Sequence, residues 1–91
     1  MPTMSLLRPI EIGKITITEL TFREYTTAGD YLAFDKPGGV AQRIALIARL
    51  TGNDEAIIER MSGRDYVKAE AIADDILKQD DLLPEKAEKK P

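Results

Sequence analysis

A chain of 91 residues, 43% hydrophobic and 32% charged, can build one small core and little more. It contains neither cysteine nor histidine, which argues against disulfide frameworks, thiolate or imidazole catalysis and zinc sites made from those ligands. The net charge of −3 is uneven: residues 1–50 hold six Lys/Arg against five Asp/Glu, residues 51–91 seven against eleven.

That acidic second half opposes nucleic-acid binding, which needs a dense cationic face to displace counterions from phosphates. No stretch approaches the ~20 apolar residues that span a bilayer. Met1–Leu7 is also too short and too weakly apolar for the hydrophobic region of a signal peptide. The expected activity is therefore binding to another protein, without catalytic residues, metal, cofactor, small-molecule substrate, membrane or nucleic acid. The expected fold class is α+β: an N-terminal β-hairpin with three to four helices packed on it. Residues 1–7 are expected to be a flexible lead-in, 8–80 a single domain, and 81–91 a disordered charged tail.

Taken in order, Pro9–Ile12 and Ile15–Thr18 each alternate polar and apolar residues around Gly13-Lys14. A two-residue connection with Gly first fits a type II′ hairpin turn, and that register pairs Ile12 with Ile15 and Ile10 with Ile17. The second strand then changes phase, because Ile15 and Ile17 are odd-numbered while Leu20 and Phe22 are even. Side chains alternate faces with period two. Either a bulge near Thr18-Glu19 resets the strand, or its far half is covered on the other face.

Thr27 and Asp30 have the spacing of a capping box, opening a short helix that ends at Pro37-Gly38-Gly39. Arg23, closing the strand, and Asp30 are close enough in sequence to pair across the corner, as a structural surface ion pair worth about 0–1 kcal/mol. Val40–Thr51 is apolar nearly all round and is stopped by Gly52, so this helix belongs either at the centre of the domain or at an interface. Asn53 can cap the next short helix. Ser62 and Asp65 repeat the cap spacing and open a last, amphipathic helix through Ile76 and Leu77. The neighbouring pairs Asp74-Asp75 and Asp80-Asp81 diverge by about 100° on a helix and read as solvated charge, not as a metal site. Glu85–Pro91 has nothing apolar to bury.

The order of these pieces resembles one family. A strand ends in Thr21-Phe22-Arg23-Glu24 and Thr27-Ala28-Gly29-Asp30 turns into a helix. The apolar helix closes in Leu46-Ile47-Ala48-Arg49-Leu50-Thr51-Gly52, Ile57–Met61 follows, and Asp65 opens the final helix. Over about residues 8–79 the chain is similar to the small tail assembly chaperones of contractile-tailed phages, the Mu-like and related "E or 41 or 14" group. Where that pattern usually has Pro, this chain has Thr26.

The resemblance implies a protein of the bacterial host cytoplasm, absent from the mature virion. It implies binding to the tape measure protein, help in gathering tail-tube subunits, and no catalytic residues. A homo-oligomer and a frameshifted longer product are compatible with it, as is a contractile bacteriocin in place of a phage or prophage. On this reading Leu46, Leu50 and Val40 of the apolar helix, with Ile15 and Ile17 of the hairpin, supply the partner contact. The alternative from another class is a small antitoxin-like or transcriptional regulatory DNA-binding protein.

Overall fold

The computed structural model of the protein describes residues 1–82. Its elements are β1 (Thr3–Ile12), β2 (Ile15–Thr21), α1 (Ala28–Ala33), α2 (Gly39–Thr51), α3 (Glu55–Ile58) and α4 (Gly63–Leu82). This is the expected α+β order, a hairpin followed by four helices. Most of the charged tail lies outside the described residues, and α4 runs to Leu82, past the expected end of the domain at residue 80.

The hairpin has the register its sequence implies, with Ile10 opposite Ile17 and Ile12 opposite Ile15. Gly13 has φ +59° and no non-glycine residue has positive φ among the described residues, as a type II′ turn requires and a type I′ turn does not. The strand begins at Thr3, not near Pro9. The segment expected to be flexible, 1–7, is therefore corrected: Thr3, Met4 and Ser5 pair with Thr21, Leu20 and Glu19. The phase change has its answer in β1. Between Ser5↔Glu19 and Ile10↔Ile17 the register shifts, so four residues, Leu6–Pro9, stand opposite Thr18 alone. A bulge does reset the pairing at Thr18, but the extra residues are on the other strand, where the alternation of β2 gives no sign of them. The bend lets Ile10, Leu20 and Phe22 enter one core, with Ile17 packed against it.

α2 lies at the centre of that core. Ala45, Leu46, Ile47, Ala48 and Leu50 are all buried, facing the hairpin on one side and Ala69, Ala73 and Ile76 of α4 on another. The alanines of α4 let the two helices approach closely. Each large apolar side chain so buried contributes roughly 1.5–3 kcal/mol. Gly52 ends α2 in the left-handed region at φ +73°, its amide bonded to the Ala48 carbonyl, a conformation any other L-residue adopts at a cost. Arg43 of α2 meets Asp74 of α4 at 2.6 Å, as an ion pair rather than through an aligned N–H···O bond. Asn53 does not cap α3, correcting that expectation. Its amide turns back to the Thr51 hydroxyl at 3.0 Å, and Asp54 takes the N-cap position without a side-chain bond.

Candidate interaction surface and the two buried carboxylates

Among the described residues two acids are completely buried, Asp30 and Asp65. A buried carboxylate is tolerated only when donors surround it, so the donors show what each acid does.

Asp30 forms the corner between the hairpin and the helices. Thr27 caps α1 and both arms of the capping box form: the Asp30 amide donates to the Thr27 hydroxyl at 3.2 Å, and the Thr27 amide donates to Asp30 Oδ2 at 2.9 Å. Arg23, at the end of β2, grips the same carboxylate with two bonds, Nη1 to Oδ2 at 2.9 Å and Nη2 to Oδ1 at 3.0 Å. The pairing expected from sequence is therefore present, but it is not a surface pair, because Asp30 is fully enclosed. A second arginine, Arg49 of α2, donates Nε to Oδ1 at 2.9 Å. Arg23 also donates to the carbonyls of Tyr25 and Arg49. The hydrogen bonds from Arg23 lower the Asp30 pKa most; burial opposes them, and Arg49 and the Thr27 amide add to the lowering. The acid is held well below the usual carboxylate range. A Cβ on Gly29 would come within 3.0 Å of Arg49 Nη2, so glycine leaves room for the second guanidinium.

Asp65 does the same for the bulge. Leu6–Pro9 have left the β-ladder, and Pro9 has no amide hydrogen. The Leu7 amide donates to both Asp65 oxygens, at 2.9 and 3.1 Å, and the Arg8 amide donates to Oδ2 at 3.1 Å. Ser62 caps α4 by accepting from the Asp65 amide at 3.2 Å, and its hydroxyl donates back to Oδ2 at 3.0 Å. The cap spacing in the sequence was correct, while the reach of the carboxylate across to β1 had no sequence signal. Burial pushes the Asp65 pKa up, but the Leu7 and Arg8 amides and Ser62 more than offset this and leave it lowered. At the far end of α4, Asp80 accepts hydroxyl bonds from Thr26, at 2.6 Å, and from Tyr31. The residue standing where the family pattern usually has Pro thus latches the corner to the last helix.

The residues expected to touch a partner divide sharply. Leu46 and Leu50 are core, with Leu46 0% exposed. They are corrected as contact residues, because the face of α2 that carries them is covered by the chain's own hairpin and α4. Ile17 is half-buried against the same core. Val40 and Ile15 are exposed, at 59% and 64%. Sequence reasoning passed over Leu32, 78% exposed on α1. Its one available signal was its place on a short helix whose Phe34 packs against the core. Leu32 and Val40 stand on either side of the Phe34–Gly38 connector, with Tyr31 beside them, its ring 5.2 Å from that of Phe34.

Among the described residues no group of acids is arranged to hold a metal ion, and no helix is long and apolar enough to cross a membrane. Both buried acids are saturated by bonds that hold the fold together, and what the domain presents outward is apolar and charged side chains. In class it is a small α+β domain. The family model for phage tail assembly chaperone proteins, E, or 41 or 14, matches residues 3–78, and the chain belongs to that family. Its role is that of a tail assembly chaperone, exercised on protein partners in tail assembly. The DNA-binding alternative finds no support in that match. No curated protein and no solved structure matches the chain.

Proposed function

We propose that the protein binds the tape measure protein in the host cytoplasm, keeps it soluble while the tail is built, helps tail-tube subunits gather around it, and is absent from the finished virion. The observation that carries this reading is the apolar pair Leu32 and Val40, 78% and 59% exposed on either side of one connector, while Leu46 and Leu50 lie in the core. A long helical protein with apolar stretches aggregates unless those stretches are covered. An acidic cover with apolar contact points, net charge −3 per copy, protects them and keeps the complex dispersed. Ile15 at the hairpin tip offers a further apolar contact point.

The test is co-purification with the tape measure protein of the same tail. Leu32→Glu with Val40→Glu leaves the melting temperature near wild type, because both side chains already face solvent. The same change lowers capture of the tape measure protein by tenfold or more, about 1.4 kcal/mol of binding. Undiminished capture by the folded variant contradicts the assigned surface. Leu46→Glu, by contrast, unfolds the domain.

A further inference from the structure

The chain has three tyrosines, and each is held differently. The Arg23 guanidinium lies over the Tyr25 ring, 5.1 Å from its centroid. Tyr66 packs against the core and donates its hydroxyl to Glu70, one turn along the same helix, at 3.1 Å. Tyr31 is 42% exposed, yet its hydroxyl reaches from α1 to Asp80, 49 positions along the chain. Its ring rests on that of Phe34, at 5.2 Å and tilted by 44°, and Phe34 is packed against the core. A carboxylate thus fixes the tip of the ring and a half-buried aromatic supports one side, while the rest is at the surface next to Leu32.

Asp80 is poorly placed for the helix that carries it. It lies near the end of α4, whose last turn holds no basic side chain, and a helix dipole disfavours an anion there. Two hydroxyls offset that conflict: Thr26, just ahead of α1, donates to Oδ2 at 2.6 Å, and Tyr31 donates to the same oxygen. Bonds to an ionised acceptor are the stronger kind. With the carboxylate held by Thr26, the Tyr31 ring keeps one orientation. A planar ring already fixed offers contact area with little left to order on binding, and tyrosine is enriched among the residues that dominate protein interfaces.

We propose that Tyr31 is a third contact residue of the surface formed by Leu32 and Val40, and that Asp80 is its positioning residue. The inference rests on the reading of that surface as the one that takes the tape measure protein. The exposed part of the ring receives apolar side chains of the partner. Asp80 touches no partner atom, so the end of α4 sets the affinity of a surface built on α1 and α2.

Binding kinetics on the tape measure protein of the same tail, immobilised by a terminal tag, test this. Tyr31→Ala removes the ring and speeds dissociation by about tenfold or more. Tyr31→Phe keeps the ring and frees its tip, at a melting temperature near wild type. Only chains with the ring in place then bind, so association slows by about threefold while dissociation is nearly unchanged. Asp80→Ala slows association likewise in the wild type and adds nothing in the Tyr31→Phe chain. A merely structural Asp80 acts equally in both backgrounds, and that result overturns the positioning role. Leu32→Glu with Val40→Glu, measured alongside, separates the two claims. If that variant loses binding while Tyr31→Ala and Tyr31→Phe keep wild-type rates, this inference alone is overturned; if it binds as wild type does, the surface and the inference fall together. Should Asp80→Ala unfold the domain, the two Tyr31 variants decide.

Discussion

Asp30 accepts four hydrogen bonds, from two arginines and a backbone amide, and this ties three consecutive elements at one point. Removing one partner of a buried charge leaves the others desolvated and unpaired, which costs more than the pair itself contributes. Gly29 gives a clean way to test the second arginine. Alanine is ordinarily the better helix residue by up to about 1 kcal/mol, yet here its Cβ would crowd Arg49 off the carboxylate. Gly29→Ala is therefore expected to be neutral or destabilising in the wild type and stabilising by about 0.5 kcal/mol in an Arg49→Ala background. Urea midpoints of the four proteins decide it, and an unchanged sign across the two backgrounds contradicts the account. The Arg23–Asp30 pair was legible because seven residues of strand end and capping box allow few geometries. Arg49 was not, since nothing local in a helix tells which distant acid its side chain will find.

At the scale of elements, the bulge and α4 stabilise each other. Four residues of β1 face one residue of β2, and the amides this frees are taken by Asp65. Asp65→Ala orphans them at a cost of about 2–3 kcal/mol, out of roughly 5–13 kcal/mol that a domain of this length holds. Hydrogen exchange measures this locally: the Leu7 and Arg8 amides lose protection in the variant while Ile10 and Ile12 keep theirs. Equal protection at Leu7 in both proteins contradicts the assignment. The hairpin turn and its register were readable from Gly13 and the alternating isoleucines, and the Thr27 and Ser62 helix caps from their spacing. The start of β1 was not, because four residues outside the ladder break the period-two pattern just where a strand would otherwise be recognised. α2 was ambiguous for a different reason: a helix apolar all round is equally at home in a core or an interface. Only the packing of the hairpin and α4 against it removes Leu46 and Leu50 from the surface and leaves Val40 there.

At the scale of the molecule, the two carboxylates set the response to acid. Both are lowered in the folded chain, so below the ordinary carboxylate range the unfolded state binds more protons than the folded one. The stability they contribute is complete above about pH 4 to 5 and is lost as pH falls further, through their folded values. The urea midpoint is expected to be level from pH 7 to pH 5 and to fall below about pH 4. A weaker fall is expected in Asp65→Asn. A midpoint that holds or rises on acidification runs against this. The family and its chaperone role could be inferred from the order of motifs along the chain. The surface that serves the role could not, because exposure follows from which faces the other elements cover.

The most direct measurement is the soluble fraction of the tape measure protein when it is expressed with and without this chain. The account predicts that it is mostly insoluble alone, soluble with the wild type, and insoluble again with the folded Leu32→Glu, Val40→Glu variant. A tape measure protein equally soluble in all three cases contradicts the claim that this domain works by covering a partner's apolar surface.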